Sequence, residues 1–217
     1  MKKLVLATAA VLFATASANA DIFFGTGAPG SITTFGPGGT TVNGFTITAT
    51  GQQFGGPDLF DGNSISATAS GAGSVNIWVT ATNVSFGLLG IDAFFSSFTT
   101  NLQHTGLTVL AQDYVDANNV AFGTTSPLSN FTFTSPGNFT HTDTANGDTG
   151  QGQFYSLTAE WTVTSTADCV GSVGICNANA TTDISMVPGP VVGAGLPGLM
   201  AACGGLLALA RRRRQLV

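Results

Sequence analysis

The central part of this chain alternates apolar and hydroxyl-bearing side chains with a period of two, which is the pattern of a β-strand with one buried face. Residues 154–166, FYSLTAEWTVTST, show it most clearly: Leu157 and Trp161 belong to the apolar set, while Thr and Glu stand at the alternate positions. An amphipathic helix would need a period of 3.6, and residues 21–186 show no convincing case of it. The chain is therefore constrained to an all-β fold.

Further segments repeat this alternation, and clusters of Gly, Pro, Asn and Asp separate them as turns. Residues 88–98, LLGIDAFFSSF, suit a strand or corner as well as a turn or two of helix. Nine to eleven strands over residues 21–186 predict one antiparallel β-sandwich or jelly-roll domain. The other predicted strands lie within 44–50, 64–70, 74–84, 107–115 and 130–135, and the turns at 36–39, 55–58, 135–137 and 146–148.

Charge is segregated along the sequence. All eleven acidic residues lie between Asp21 and Asp183, whereas residues 21–210 contain no Lys or Arg. Binding of nucleic acid depends on clusters of basic side chains, so the sequence excludes it. Without Lys, the edge strands also lack a common protection against pairing with a neighbouring molecule. The sequence therefore predicts self-association through strand edges.

The first twenty residues, MKKLVLATAAVLFATASANA, have the three parts of a secretory signal peptide. Lys2 and Lys3 precede an apolar run, and residues 18–20 (Ala-Asn-Ala) form a small-x-small cleavage site. We therefore expect residues 1–20 to be removed and the body of the protein to be exported.

The C-terminal segment predicts a single membrane-spanning helix. Residues 191–210 are uncharged, and a helix of that length spans roughly 30 Å, the thickness of the hydrocarbon core of a bilayer. The cations Arg211, Arg212, Arg213 and Arg214 follow at once, as expected for a cytoplasmic stop-transfer flank. This arrangement places the C-terminus inside the cell and the acidic body outside.

This tail resembles a known sorting signal. Residues Val187, Pro188, Gly189 and Pro190, followed by the Gly-rich apolar segment and the Arg cluster, look like a PEP-CTERM sorting domain over residues 187–214. Gly189 stands where that family usually has Glu. The resemblance implies processing by an exosortase-like membrane enzyme and release to the surface of a bacterium that makes extracellular polysaccharide. A plain linker before the membrane helix is the alternative interpretation of the Pro-Gly-Pro motif.

Two of the three cysteines, Cys169 and Cys176, lie close together in the segment DCVGSVGIC. In an exported protein, neighbouring thiols of this kind usually pair, and this segment lacks the CxxC spacing of a metal or redox pair. The sequence therefore predicts a disulfide between them.

Catalytic motifs are scarce in this sequence. His104 and His141 lie among Thr residues, there is no nucleophile elbow or HExxH motif, and Glu160 is the only Glu. A glycosidase pair of Glu160 with a loop Asp is left open.

No cofactor is predicted, and Ca²⁺ is the best candidate for a bound metal. Oxygen ligands suit Ca²⁺, although the same residues are ordinary in turns. Its candidate ligands are Asp143, Asn146 and Asp148 in one predicted loop and Asp58 and Asp61 in another.

Three functions are compatible with these sequence features. We favour a non-enzymatic surface or matrix protein, held by its tail and then acting structurally or adhesively with exopolysaccharide. The alternative is a lectin-like module, for which Trp78 is the candidate sugar platform because it lies on the opposite strand face from Val75, Ile77 and Val79. A secreted hydrolase is the least favoured, since acid–base groups are so few.

Overall fold

The computed structural model describes residues 21–52, 58–85, 91–150, 154–171 and 176–187. Almost all of this is β-structure, and the only helix in the described residues has five residues. The elements are β1 (Asp21–Thr26), β2 (Thr33–Phe35), β3 (Thr40–Val42), β4 (Phe45–Thr50), β5 (Asp58–Ala69), β6 (Gly73–Val84), β7 (Ile91–Leu102), β8 (Leu107–Asp116), β9 (Ser126–Phe133), β10 (Gly137–Asp148), β11 (Tyr155–Ser165), α1 (Ala167–Gly171) and β12 (Asn177–Met186).

These strands form two six-stranded antiparallel sheets that pack face to face. The first, sheet A, has the order β2-β1-β6-β11-β8-β9, and the second, sheet B, has the order β10-β7-β12-β5-β4-β3. Every strand pair between neighbours is antiparallel. The predicted all-β fold with two packed sheets is therefore confirmed.

The period-two pattern determines which side chains form the core. On β4, burial alternates without exception, with Phe45, Ile47 and Ala49 buried and the three Thr residues exposed. Strand β8 alternates in the same way over most of its length. The largest fully buried side chains are Trp78, Trp161, Phe45, Phe60, Phe94, Phe98, Ile47, Ile77, Leu102, Leu107 and Leu157; of these, Trp78 is not in the central core cluster.

A group of polar side chains interrupts this core. Asp113 on β8 is fully buried and faces sheet B, where the Thr182 hydroxyl donates to its Oδ2 over 2.9 Å. Several buried polar atoms have no hydrogen-bond partner within the described part of the chain, among them Asp113 Oδ1, the Ser96 hydroxyl and both side-chain amide atoms of Asn63. Burial raises the pKa of Asp113 from its ordinary 3.8 to about 8, although the hydrogen bond from the Thr182 hydroxyl opposes the rise. The carboxyl group is therefore mostly protonated at neutral pH.

Strands β7 and β10 show where the sequence pattern was ambiguous. For the segment at 88–98 a helical turn was considered; its residues 91–98 belong to the twelve-residue strand β7. The predicted turn at 146–148 lies instead in β10, paired along its whole length with β7. The described residues contain twelve strands, one more than the upper expectation.

The disulfide is confirmed: Cys169 and Cys176 are bonded, with their Cα atoms 5.5 Å apart. It connects α1 to the start of β12. The predicted signal peptide (1–20), residues 188–190 of the predicted sorting motif (187–190), the membrane helix (191–210) and the Arg cluster (211–214) lie outside the described residues. No helix within the described ranges is long and apolar enough to cross a bilayer.

Candidate functional site

Trp78, the predicted sugar platform, does lie on the outer face of sheet A, but none of its surface is exposed. The β1–β2 loop covers it, and its indole Nε1 donates to the Gly27 carbonyl over 2.9 Å. Its neighbour across the β1–β6 ladder is Gly25, where a side chain would collide with Ile32 and crowd Phe122. The prediction of an exposed ring at Trp78 is therefore wrong, because alternation gives the face of a strand but not what lies over it.

A second loop, residues 117–125, covers the adjacent part of the same face. Asn119 and Asn83 exchange hydrogen bonds: the Asn83 backbone N–H donates to Asn119 Oδ1 over 2.7 Å, and Asn119 Nδ2 donates to Asn83 Oδ1 over 2.8 Å. The Ser156 hydroxyl donates to the Val120 carbonyl over 2.7 Å. The two loops thus cover the parts of the outer face of sheet A around Trp78 and Ser156.

Beside these covered parts lies a patch, which we call the polar face, centred on Glu160 of β11. Glu160 itself is largely buried, and the residues around it are partly exposed: Asn76, Gln112, Tyr114 and Thr162. Asn76 Nδ2 donates to Glu160 Oε1 over 3.0 Å, and the Tyr114 hydroxyl donates to Oε2 over 3.4 Å. The Thr162 hydroxyl donates in turn to Asn76 Oδ1 over 3.2 Å. Gln112 is the register partner of Glu160 on β8. Three adjacent central strands, β6, β11 and β8, thus fix a carboxyl, two amides, a phenol and a hydroxyl side by side.

Burial and these contacts change the pKa values of two groups of the polar face, Glu160 and Tyr114. Glu160 is 6% exposed, and burial raises its pKa to about 7, partly offset by the Tyr114 hydrogen bond. Burial together with the nearby Glu160 carboxylate raises the pKa of Tyr114 to about 12. Tyr114 therefore remains a neutral donor at physiological pH, while Glu160 exists in both protonation states.

A cavity of about 380 Å³ opens beside Asn76, between the start of β6 and the loops that flank β2 and β3. Six of the twelve residues in its walls are Ser or Thr, so it can accept a polar group of a ligand lying on the polar face. Residues lining it include Thr26, Ser31, Thr33, Thr41, Ser74 and Asn76.

The candidate calcium ligands do not converge. Asp143, Asn146 and Asp148 lie on strand β10 rather than in a loop, and alternation places Asp143 on the opposite face from the other two. Each described Asp carboxylate there accepts a local hydrogen bond, from Thr144 N–H for Asp143 and from Gly150 N–H for Asp148.

The second candidate loop, at Asp58 and Asp61, is likewise part of a strand, β5, and the side chain of Asp58 lies outside the description. Asp61 is exposed. Across the described ranges, no three His, Cys, Asp or Glu side chains come together as metal ligands.

Exposed aromatic rings occur at a corner that the sequence analysis did not single out. Phe131 of β9 stacks on His141 of β10, with ring centroids 3.9 Å apart, and packs edge-on against Phe133. Phe131 and the nearby Phe139 are each more than one-third exposed. The predicted strand at 130–135 contains Phe131 and Phe133 but not Phe139. The exposure of Phe131 and Phe139 follows from the position of β9 and β10 at the sheet edges.

Comparison with protein-family models and with curated proteins finds no match. Among solved structures, the C-terminal family 22 carbohydrate-binding module of Clostridium thermocellum Xyn10B is 13% identical over 78% of this chain and 87% of that one, with a TM-score of 0.38. The K1 cleaved adhesin domain of Porphyromonas gingivalis Lys-gingipain is 12% identical over 75% and 89%, with a TM-score of 0.40.

A third structure, the enzymatically active domain of bacteriophage CBA120 tailspike protein 4, is 14% identical and has a TM-score of 0.34. The match covers 67% of this chain but only 20% of the tailspike chain. At such identities and scores, these likenesses assign the chain neither a family nor a function.

Proposed function

We propose that this protein is a non-catalytic polysaccharide-binding module and that its ligand lies along the polar face of sheet A. The observation that carries the proposal is the network in which Asn76, Tyr114 and Thr162, all partly exposed, surround Glu160 on the outer face of sheet A. Sugars present closely spaced hydroxyls that both donate and accept hydrogen bonds. The polar face offers both kinds of group in a fixed array.

The rigidity of the scaffold favours this chemistry. The polar face is built on β6, β11 and β8, each of which has a strand on both sides. Side chains held in this way lose little conformational freedom on binding, which lowers the cost of recognising a flexible polymer. The half-buried ring of Tyr114 adds an apolar surface for the carbon skeleton of a sugar.

The proposed cellular setting is the outside of a bacterial cell. The Cys169–Cys176 disulfide supports export, since such bonds persist in oxidising compartments. We propose that residues 1–20 direct export and that residues 187–214 hold the protein in the inner membrane until an exosortase-like enzyme processes it. Polysaccharide binding would then give the protein its adhesive role in the extracellular matrix, where strand-edge pairing between copies could add cohesion.

Affinity electrophoresis in gels containing single soluble polysaccharides tests the binding function. We expect the mature body, residues 21–187, to be retarded by at least one polysaccharide. Asn76→Ala should lose most of this retardation because it removes the donor to Glu160 and the acceptor for Thr162. Asn179→Ala, on the outer face of sheet B, is the matched control and should migrate like the wild type. Equal retardation of all three proteins, or retardation of none, would refute the proposal.

Localisation is tested by fractionation and intact-mass measurement. The proposal predicts a form that begins at Asp21, contains the disulfide and ends near residues 187–190, found in the medium or matrix. A full-length chain ending at Val217 in the inner membrane would instead indicate a permanent anchor.

A further inference from the structure

The charge of the polar face suggests which polysaccharide it binds. Residues 21–210 contain eleven acidic side chains and no Lys or Arg, so the exported body has no lysine or arginine to pair with an anionic sugar. Polymers rich in uronate, sulfate or phosphate would meet a surface of the same sign and be repelled. The ligand is therefore neutral or positively charged.

The environment of Glu160, at the centre of the polar face, favours a positively charged ligand over a neutral one. The carboxyl group of Glu160 is 6% exposed and contacts two neutral donors, the amide of Asn76 and the phenol of Tyr114. Two hydrogen bonds leave part of its acceptor capacity unused, since an ionised carboxylate has about four lone-pair sites. A largely buried carboxylate without a cation is costly, which is why burial raises its pKa to about 7. A ligand that brings a positive charge would relieve this cost.

We propose that the ligand is a polysaccharide with free amino groups, and that a sugar ammonium group pairs with the Glu160 carboxylate. This inference rests on the proposed function. The ammonium group has three donors and no acceptor. One donor binds Glu160, and the nearby amide and hydroxyl oxygens of Gln112 and Thr162 can accept the others. The hydroxyl groups of neighbouring sugars bind along the rest of the face and in the cavity beside Asn76.

Calorimetric titration at pH 7 with four hexasaccharides tests this inference: glucosamine, N-acetylglucosamine, glucose and a uronate. We expect the glucosamine hexamer to bind at least about tenfold more tightly than its N-acetylated form, because acetylation removes the charge. Glu160→Gln should weaken glucosamine binding by about 10-fold to 100-fold, the range for a lost charge-assisted hydrogen bond, and should abolish the preference for glucosamine over the N-acetylated hexamer.

Asp61→Asn is the matched control, since it also removes one negative charge but at an exposed position on sheet B. It should bind glucosamine hexamer like the wild type. If Asp61→Asn and Glu160→Gln weaken binding equally, the attraction is general and the inference is overturned. If neutral hexamers bind as tightly as glucosamine, the inference fails while the proposed function stands. If no hexamer binds, both fail.

Discussion

Replacing Asp113 with Asn tests how the buried polar group affects stability. Asn has the shape and neutral charge of a protonated Asp and retains the oxygen that accepts from Thr182. In the wild type the carboxyl group must stay protonated in the folded state, since burial raises its pKa to about 8, whereas an unfolded chain releases this proton above the ordinary 3.8. Asp113→Asn has no such proton to hold.

The sign and size of the effect follow from this difference in pKa. Between pH 4 and 8 the folded wild type binds more protons than the unfolded chain, so its stability falls as pH rises and levels off above pH 8. From pH 4 to pH 7 the loss due to Asp113 is about 4 kcal/mol, at 1.36 kcal/mol per pH unit. Asp113→Asn should therefore match the wild type near pH 4 and exceed its stability by up to about 4 kcal/mol at pH 7.

Urea unfolding at a series of pH values, followed by the fluorescence of the buried Trp78 and Trp161, measures this difference. Subtracting the two curves cancels the titration of all other groups. Asp61→Asn, an exposed carboxylate, is the control and should follow the wild type at every pH. Parallel curves for Asp113→Asn and the wild type would refute the argument that Asp113 is held protonated in the core.

Further predictions concern the disulfide, the polar face and the covered Trp. Replacing Cys169 and Cys176 with Ser should lower the free energy of unfolding by about 2.5 kcal/mol, measured by urea denaturation, since the bond closes a short loop. Tyr114→Phe should raise the pKa of Glu160 further, because it removes a donor that stabilises the carboxylate; the titration midpoint in ¹³C NMR spectra would show no upward movement if this contact were absent. Trp78→Ala should cost about 3–5 kcal/mol in thermal or urea unfolding, whereas an exposed ring would cost little.

The fold could be predicted from the sequence largely because Thr marks the outward positions so regularly. Strands such as β4 and β11 have apolar residues that fall on one face, and this pattern alone fixed their core-facing side. Strand β10 escaped prediction because it is an edge strand with little to bury, so Asn146, Gly147 and Asp148 had the composition of a turn.

The candidate site could be predicted only in part. The outward direction of Glu160 followed from alternation, and so did the outer-face position of Trp78. The alternation of apolar and polar residues could not predict that the β1–β2 loop covers Trp78. Loop paths depend on contacts between residues distant in sequence, such as the hydrogen bond from Trp78 to Gly27. The meeting of Asn76 and Tyr114 at Glu160 likewise depends on strand order, which places β6 and β8 on either side of β11.

Mapping the ligand contact surface by NMR shows whether a polysaccharide binds on the polar face. The ¹⁵N-labelled mature body is titrated with the hexasaccharide that binds it most tightly, and both backbone and side-chain amides are followed. Perturbed signals should cluster on β6, β8 and β11 and include the side-chain amides of Asn76 and Gln112. Perturbations confined to the aromatic corner around Phe131 and His141, or to the outer face of sheet B, would contradict binding on the polar face.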